Sequence, residues 1–534
     1  MTTVLDRSRV TPASAPPRRP ARTGAVFAAA LLGYLLIGTV LVFGFDSIME
    51  DALARVSAAS SVTSASDPKL AAVGFVWTPL PALLMVPFAP LRALFPGLVS
   101  TGYLAVLLSA VSMAGAVAAL HGIVTDLRVR AGARVLVVGL FALSPLVLIY
   151  GTNGMTEALL MLFLLLAVRA LLRWARDGGR TNDLVAAGLF LGLGYLARYE
   201  AIVAAAAVTL LVAVVTAVRT RDRHAVLVDV LLAGLPAAVA FVVWAVLSAV
   251  IVGSPFEQFT SAYGNAALVS AAGSGGLADV ARQLAALAPL GLPVLLAAGW
   301  VTWRRRDVSA LVPVTVLGSV LALEWLLRVS GNLFGFLRYQ IMVLPLLAVL
   351  VAVLLAGAPG RRGWRSVGAA ALAVLVLGGS TVTSALLVTN APVLASQEYL
   401  RVRPVVDTVL GRAVTDTGAN GMWADDRAIA ARLDAMDLPE GAVLADSGSA
   451  FAVVAASAHP ERFLITSDDG FAAALADPAA HGIRYVLRND RGGVDAVRST
   501  HPDPAATGWA REVARWPGST QWSYGWSLWQ VTRQ

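Results

Sequence analysis

Cysteine is absent from the chain, which excludes a disulfide framework in any exported part and removes pairing as a guide to redox compartment. Charge is scarce as well. Asp, Glu, Lys and Arg make up only 14% of the 534 residues, against roughly 25% in soluble domains. Lysine is nearly missing, so the basic residues are almost all arginine, a matter of genome composition more than of chemistry. No Gly-rich phosphate loop stands in a strand–turn–helix context, and no Cys/His set has metal-ligand spacing. A net charge of +8 would suit a nucleic-acid partner, but the arginines collect in short loops between apolar runs. There they report membrane orientation, so no nucleic acid is expected.

What the chain has in abundance is apolar sequence: 57% hydrophobic residues and a mean hydropathy of +0.73. Runs long enough to cross the ~30 Å hydrocarbon core as helices are expected at Ala25–Phe45, Thr101–Ile123, Arg134–Tyr150, Glu157–Leu172, Leu184–Ala197 and Ala201–Val218. Five more follow at Val226–Val252, Leu284–Trp303, Val308–Leu327, Tyr339–Gly357 and Val367–Thr389, about eleven in all. The stretch from Phe75 to Phe95 is apolar too. Its Pro79, Pro81, Pro87 and Pro90 would each delete a backbone hydrogen bond that lipid cannot replace, so it is expected to be interfacial or re-entrant.

Arginines mark every second loop: Arg18, Arg19 and Arg22 in the tail, Arg128, Arg130 and Arg134, Arg173, Arg176 and Arg180, Arg219, Arg221 and Arg223, Arg304 to Arg306, and Arg361, Arg362 and Arg365. These loops are expected in the cytoplasm of a plasma-membrane protein. The alternation holds only if the proline-rich stretch is not a crossing. The first span lacks a following small-residue cleavage site and reads as a retained span rather than a signal peptide. The resulting fold class is an α-helical polytopic membrane protein with a C-terminal extracytoplasmic α/β domain. Residues 1–24 form a cytoplasmic basic tail, 25–390 the membrane domain with an external loop at 46–100, and 391–534 the soluble domain. In that last part "GAVLADS", "RFLITSD" and "GIRYVLRND" read as strands, and "DDRAIAARLDAM" and "GFAAALADP" as helices. The region around His459 reads as a solvated loop.

Polar residues gather at the outer ends of the spans. Asp46 leaves the first span, and on a continuing helix Glu50 would share its face, with Asp51 beside it. Acids at that level also serve simply as interface markers or helix caps. Asp67 lies beyond a mobile-looking Ser/Ala-rich segment, "SAASSVTSAS", and is a candidate to cap the turn at "SDPKL". Glu157 opens the fourth span, where it would favour the helix dipole. Arg198 and Arg338 lie outside against the positive-inside bias, each followed by a tyrosine, Tyr199 and Tyr339, with Glu200, Glu324 and Arg328 nearby. Such arginines either snorkel to the headgroups or hold an anionic partner.

The acidic first external loop with its proline-rich segment, "SPLVLIYGTNGMTEALL", "GLFLGLGYLARYEA", "RYQIMVLP" and the outward C-terminal domain resemble the GT-C superfamily of membrane glycosyltransferases, including actinobacterial mannosyl- and arabinosyltransferases. The likeness spans residues 25 to 390. The adjacent acids of many members are spread here over Asp46, Glu50 and Asp51. The resemblance implies a sugar donor on a polyprenyl phosphate and a cell-envelope glycan, lipid or protein acceptor, reacting at the outer face with inversion. It implies no certain cofactor, with a divalent cation (Mg or Mn) left open. On it, Asp46 would be the general base, with Glu50 and Asp51 as further catalytic residues, Arg198, Arg338, Tyr199 and Tyr339 would hold the donor phosphate, and Asp67 and Glu157 would orient acceptor or sugar hydroxyls. Phe75 and Trp77 would wall the prenyl chain. The competing classes are a flippase for a lipid-linked sugar, whose charges would lie nearer the bilayer midplane, and a non-catalytic lipid-binding relative.

Overall fold

Long apolar runs leave their backbone groups no partner in lipid except one another, so they fold as helices. The computed structural model describes residues 21–176, 180–264, 269, 277–356, 364–491, 493–506 and 508–532. Arg18, Arg19, Arg361, Arg362 and the end of the tenth expected span at Gly357 lie outside the described residues. Among those described, eight helices are long and apolar enough to cross a membrane: Arg22–Gly44, Tyr103–Asp126, Glu157–Arg176, Ala201–Thr220, Arg223–Val252, Leu311–Val329, Leu337–Leu355 and Val367–Asn390. The chain is thus a multi-pass membrane protein.

The other three expected spans take different forms. Arg134–Tyr150 is two helices, Ala131–Ala142 and Pro145–Tyr150, because Pro145 cannot donate to the preceding turn. Leu284–Trp303 is divided between Leu277–Leu287 and Gly291–Arg305, which meet at a 69° bend. Thr181–Ala197 is a single but shorter apolar helix of 17 residues. It packs against Arg223–Val252 through Gly188 and Gly192. A Cβ on Gly188 would stand 2.6 Å from the Leu232 carbonyl oxygen, so only a bare backbone admits this approach. The proline-rich stretch forms the short helices Leu80–Met85 and Val86–Ala93, which leave Phe88, Leu91, Leu94 and Phe95 exposed, as an interfacial segment would.

The loop at 46–100 departs most from expectation. The "SAASSVTSAS" segment is not mobile text but part of a helix, Glu50–Ser64, whose Ala52, Leu53, Val56, Ala59 and Ser60 are buried. Its small side chains let it pack closely against the helix Ser447–Ala456 of the C-terminal domain. Asp46 lies outside it, in a left-handed turn with φ 48°. Asp46 and Glu50 therefore do not share a helix face: helix formation starts at Glu50, where two acids complement the N-terminal dipole.

The C-terminal domain is built on a sheet of β1 (Val443–Ala445), β2 (Phe463–Ile465), β3 (Tyr485–Asn489), β4 (Ala510–Trp516) and β5 (Trp526–Val531). Its order is β2-β1-β3-β5-β4, parallel over the first three strands and antiparallel at β5 and β4. Alternation sends Val443, Leu487, Trp526 and Leu528 to one face and Leu444, Val486 and Trp529 to the other, and both faces are covered. His459 is exposed and pairs with Glu461 at 3.0 Å, so it serves its own loop. Trp423, Phe451 and Ala455 of this domain belong to the same continuous core as the membrane helices.

Candidate functional site

The N-terminal turn of Glu50–Ser64, the turn after Thr181–Ala197 and the start of Leu337–Leu355 meet at one end of the helical bundle, under the C-terminal domain. Arg198 donates from Nη1 to Glu157 Oε1 at 2.8 Å and from Nη2 to Glu200 Oε1 at 2.7 Å. Arg338 donates from Nη1 to Asp51 Oδ2 at 3.2 Å, and its Nε lies 3.8 Å from Glu157 Oε1. Glu157, 2% exposed, thus lies between the two arginines at the helix start where the sequence places it. These pairs are largely removed from water, so each guanidinium is committed to its carboxylates.

Arg55 is different. It is buried, its guanidinium carbon stands 4.2 Å above the Trp77 ring, and Nη1 donates at 3.1 Å to the Asp51 carbonyl oxygen. Its Nε has no hydrogen-bond partner and, among the described residues, no carboxylate lies within ion-pair distance of it. Burial pulls its pKa down to about 10, so it remains a cation at neutral pH. Arg55 escapes the sequence reading, yet the signal that picks out Arg198 and Arg338, an arginine on the outer side, applies to it equally.

Two chambers open around these groups. The first, about 30 Å³, is lined by Asp51, Arg55, Trp77, Arg198, Tyr199 and Arg338, with Thr78, Glu200 and Tyr339 behind them. The second, about 220 Å³, lies toward the C-terminal domain between Glu50, Phe336, Gln397, Arg401, Met422 and Trp522. Only Asp51 and Arg338 line both. Burial alone would raise the Asp51 pKa, but the facing Arg338 and then Arg55 outweigh it, and the carboxyl is held below its usual range. Glu50, reachable from the second chamber but surrounded by protein, is pushed the other way. Burial raises it, Arg401 opposes, and the neighbouring Asp51 charge adds to the rise.

Two of the acids named from sequence stand apart. Asp46 lines neither chamber; Arg427 of the C-terminal helix Ala424–Asp434 holds both its oxygens, at 3.0 and 2.6 Å. Asp67 is bonded to Lys69 at 2.7 Å and to the Asp469 amide at 3.2 Å, again a contact between loop and C-terminal domain. Phe75 is stacked on Trp244 with centroids 4.6 Å apart, leaving Trp77 as the aromatic wall of the first chamber. Arg328 is turned away to the Leu333 carbonyl oxygen, and Glu324 is buried with Oε2 unpartnered. Asp51, Glu157 and Glu200 are already neutralised by guanidiniums, and among the described residues no three metal-ligating side chains converge.

This bundle with its capping α/β domain is shared with solved proteins. ArnT from Cupriavidus metallidurans bound to undecaprenyl phosphate superposes with a TM-score of 0.56 at 15% identity, over 96% of this chain and 98% of that one. Its apo form gives 0.53 at 17% identity, over 95% and 98%. The chain has the GT-C glycosyltransferase fold. A family described as dolichyl-phosphate-mannose-protein mannosyltransferase matches residues 87–244. That segment of the GT-C bundle contains Glu157 and Arg198 but not Asp51, Arg55 or Arg338. No curated protein matches the chain in sequence.

Proposed function

We propose that the chain is a membrane glycosyltransferase that moves a sugar from a polyprenyl-phosphate donor to an acceptor hydroxyl at the outer face of the plasma membrane, inverting the anomeric centre. The observation that carries this reading is the position of Asp51, a carboxylate shared by two chambers of opposite character. A hydroxyl is a poor nucleophile until a positioned base accepts its proton. The acceptor hydroxyl gives its proton to Asp51 and forms a bond from oxygen to the anomeric carbon. The bond from that carbon to the phosphate oxygen breaks, and its electron pair leaves on the lipid phosphate. Growing charge there needs a fixed cation that is not already spent. Arg55 is that cation, with Arg198 and Arg338 flanking it and Tyr199 and Tyr339 completing the wall. Arg338 keeps Asp51 ionised, while Glu50 faces only the acceptor side.

The base assigned here is Asp51 in place of Asp46, whose carboxylate is engaged by Arg427. Glu157 acts by fixing both arginines, and Asp67 by joining the external loop to the C-terminal domain. ArnT bound to undecaprenyl phosphate offers a precedent in this fold for holding a lipid phosphate. The arginine-rich loops support a cytoplasmic N terminus and an external C-terminal domain.

A panel of labelled polyprenyl-phosphate sugars, supplied to spheroplasts and to inverted vesicles from cells with and without the protein, tests chemistry and orientation together. Protein-dependent label on an acceptor in spheroplasts alone is expected. Movement of the labelled lipid across the bilayer with no acceptor labelled would make the protein a flippase instead.

A further inference from the structure

The larger chamber holds polar groups that the donor chemistry leaves unused. Arg401 makes only long bonds, 3.4 Å to the Gln397 carbonyl oxygen and 3.5 Å to that of Ile48, and its Nε has no partner. Gln397 Oε1 is buried beside it without a donor. Across from them is Glu50. Arg401, Gln397 and Glu50 thus give the chamber's lining a mixture of donors and acceptors.

Two aromatic side chains, one from each domain, complete the lining. Phe336 stacks on Phe334, centroids 5.0 Å apart, and lies parallel to Tyr339. Trp522 is 47% exposed, a large apolar face left open at the lip. Its Nε1 donates at 2.9 Å to the Thr417 carbonyl oxygen, and Gly418, at φ +69°, fits against its edge where a Cβ would stand 3.2 Å from the ring. The indole is thus locked in orientation before any ligand arrives, which lowers the ordering cost of binding.

We infer that this chamber is the acceptor site and that the group it receives is an uncharged sugar ring of a glycan, laid against Trp522 and Phe336 with its hydroxyls toward Arg401, Gln397 and Glu50. The inference rests on the transferase reading above. Charge favours a neutral ligand. The lining sets two carboxylates, Glu50 and Asp51, against two guanidiniums, Arg401 and Arg338, so no surplus cation awaits an anionic acceptor. The chamber is walled by side chains rather than by an open strand edge, which is what an extended peptide would pair with. A sugar ring matches because its hydroxyls both donate and accept while its C–H faces are apolar. Because Asp51 lines the same chamber, a hydroxyl held there reaches the base directly.

The test uses the full-length protein in nanodiscs. Saturation-transfer NMR is run with a panel of neutral mono- and oligosaccharides and with a panel of serine- and threonine-containing peptides. Competition by undecaprenyl phosphate is measured separately as a control for folding and for the donor site. Binding of at least one saccharide is expected in the unaltered protein, weakened about tenfold or more by Trp522→Ala and by Gln397→Ala, an effect of about 1.4 kcal/mol. Trp522→Phe, which keeps an aromatic face, should retain most of it. The same Ala variants should raise the acceptor KM more than they lower kcat, with undecaprenyl phosphate binding unchanged. Saccharide binding equal in all variants overturns the proposal, as does transfer to the peptides with no saccharide bound. Saccharide binding that depends on Trp522 in a protein that transfers no sugar leaves the chamber a saccharide site but defeats the transferase reading and, with it, the acceptor role.

Discussion

The two chambers share one wall and differ in everything else. The smaller brings Arg55, Arg198 and Arg338 together with Asp51 and Glu200, in about 30 Å³. The larger, about 220 Å³, offsets Arg401 with Glu50 and fills the rest with aromatic, amide and apolar groups. Dense, mutually paired charge costs desolvation and is maintained where a charged group must be met. A balanced, roomy, amphiphilic lining suits a ligand with hydroxyls and C–H faces. On the function proposed above, the leaving phosphate belongs to the first side and the nucleophile to the second, with Asp51 at the border.

The comparison breaks most severely if its border residue is removed. Asp51→Asn keeps the shape and the hydrogen bonding to Arg338 but abolishes the base, and transfer should fall by roughly the 10²–10⁴-fold that general-base catalysis contributes. Turnover of the purified variant near the parent's would sink the assignment and bring Glu50 forward. On the phosphate side, Arg55→Gln removes the one uncommitted cation. A charge-assisted hydrogen bond is worth about 1.5–3 kcal/mol, or roughly 10- to 150-fold in donor affinity. An unchanged Kd for undecaprenyl phosphate would return Arg55 to a packing role against Trp77.

A pH profile sharpens the border itself. Because Arg338 is the main group holding the Asp51 pKa down against its burial, the base stays ionised to lower pH than an ordinary aspartate. Removing that charge with Arg338→Gln should move the acid limb of kcat/KM to higher pH. An acid limb in the same place would mean that Asp51 is not the group titrating. The smallest effect is expected from Asp46→Asn. Its partner Arg427 is partly exposed, so the pair is worth about 0–1 kcal/mol, and transfer should stay within about fivefold of the parent. A loss as large as that of Asp51→Asn would restore Asp46 as the base.

The order of those two acids shows what the sequence carries and what it does not. From Phe43 to Asp67 the text supplies acids at the exit of a span, but the choice among them depends on where the next helix begins. It begins at Glu50, so that Asp51 faces inward and Asp46 is left in the turn for Arg427, which is 381 residues away in the chain. The Ser/Ala-rich run after it has the composition of a flexible linker, yet the C-terminal domain covers it and turns its small side chains into a close helix contact. Strands β1, β2 and β3 are legible because their runs are short and apolar. β4, "AREVARW", interleaves charges with its apolar positions and is a strand because β5 pairs with it.

By itself the sequence determined the solvent. A chain this apolar has to satisfy its backbone within helices, and that fixes the spans, the arginine-marked loops and the level at which Glu157, Arg198 and Arg338 gather. Tertiary structure alone decided the pairing. Arg198 and Arg338 look like free cations in the text and are bound to carboxylates, while Arg55, hidden in a small-residue helix, is the one of the smaller chamber's three arginines without a carboxylate partner among the described residues. The physical reason is the range of the forces involved. Transfer into lipid is a property of each segment and its composition, whereas an ion pair acts over a few ångströms between residues that only the packed chain brings together.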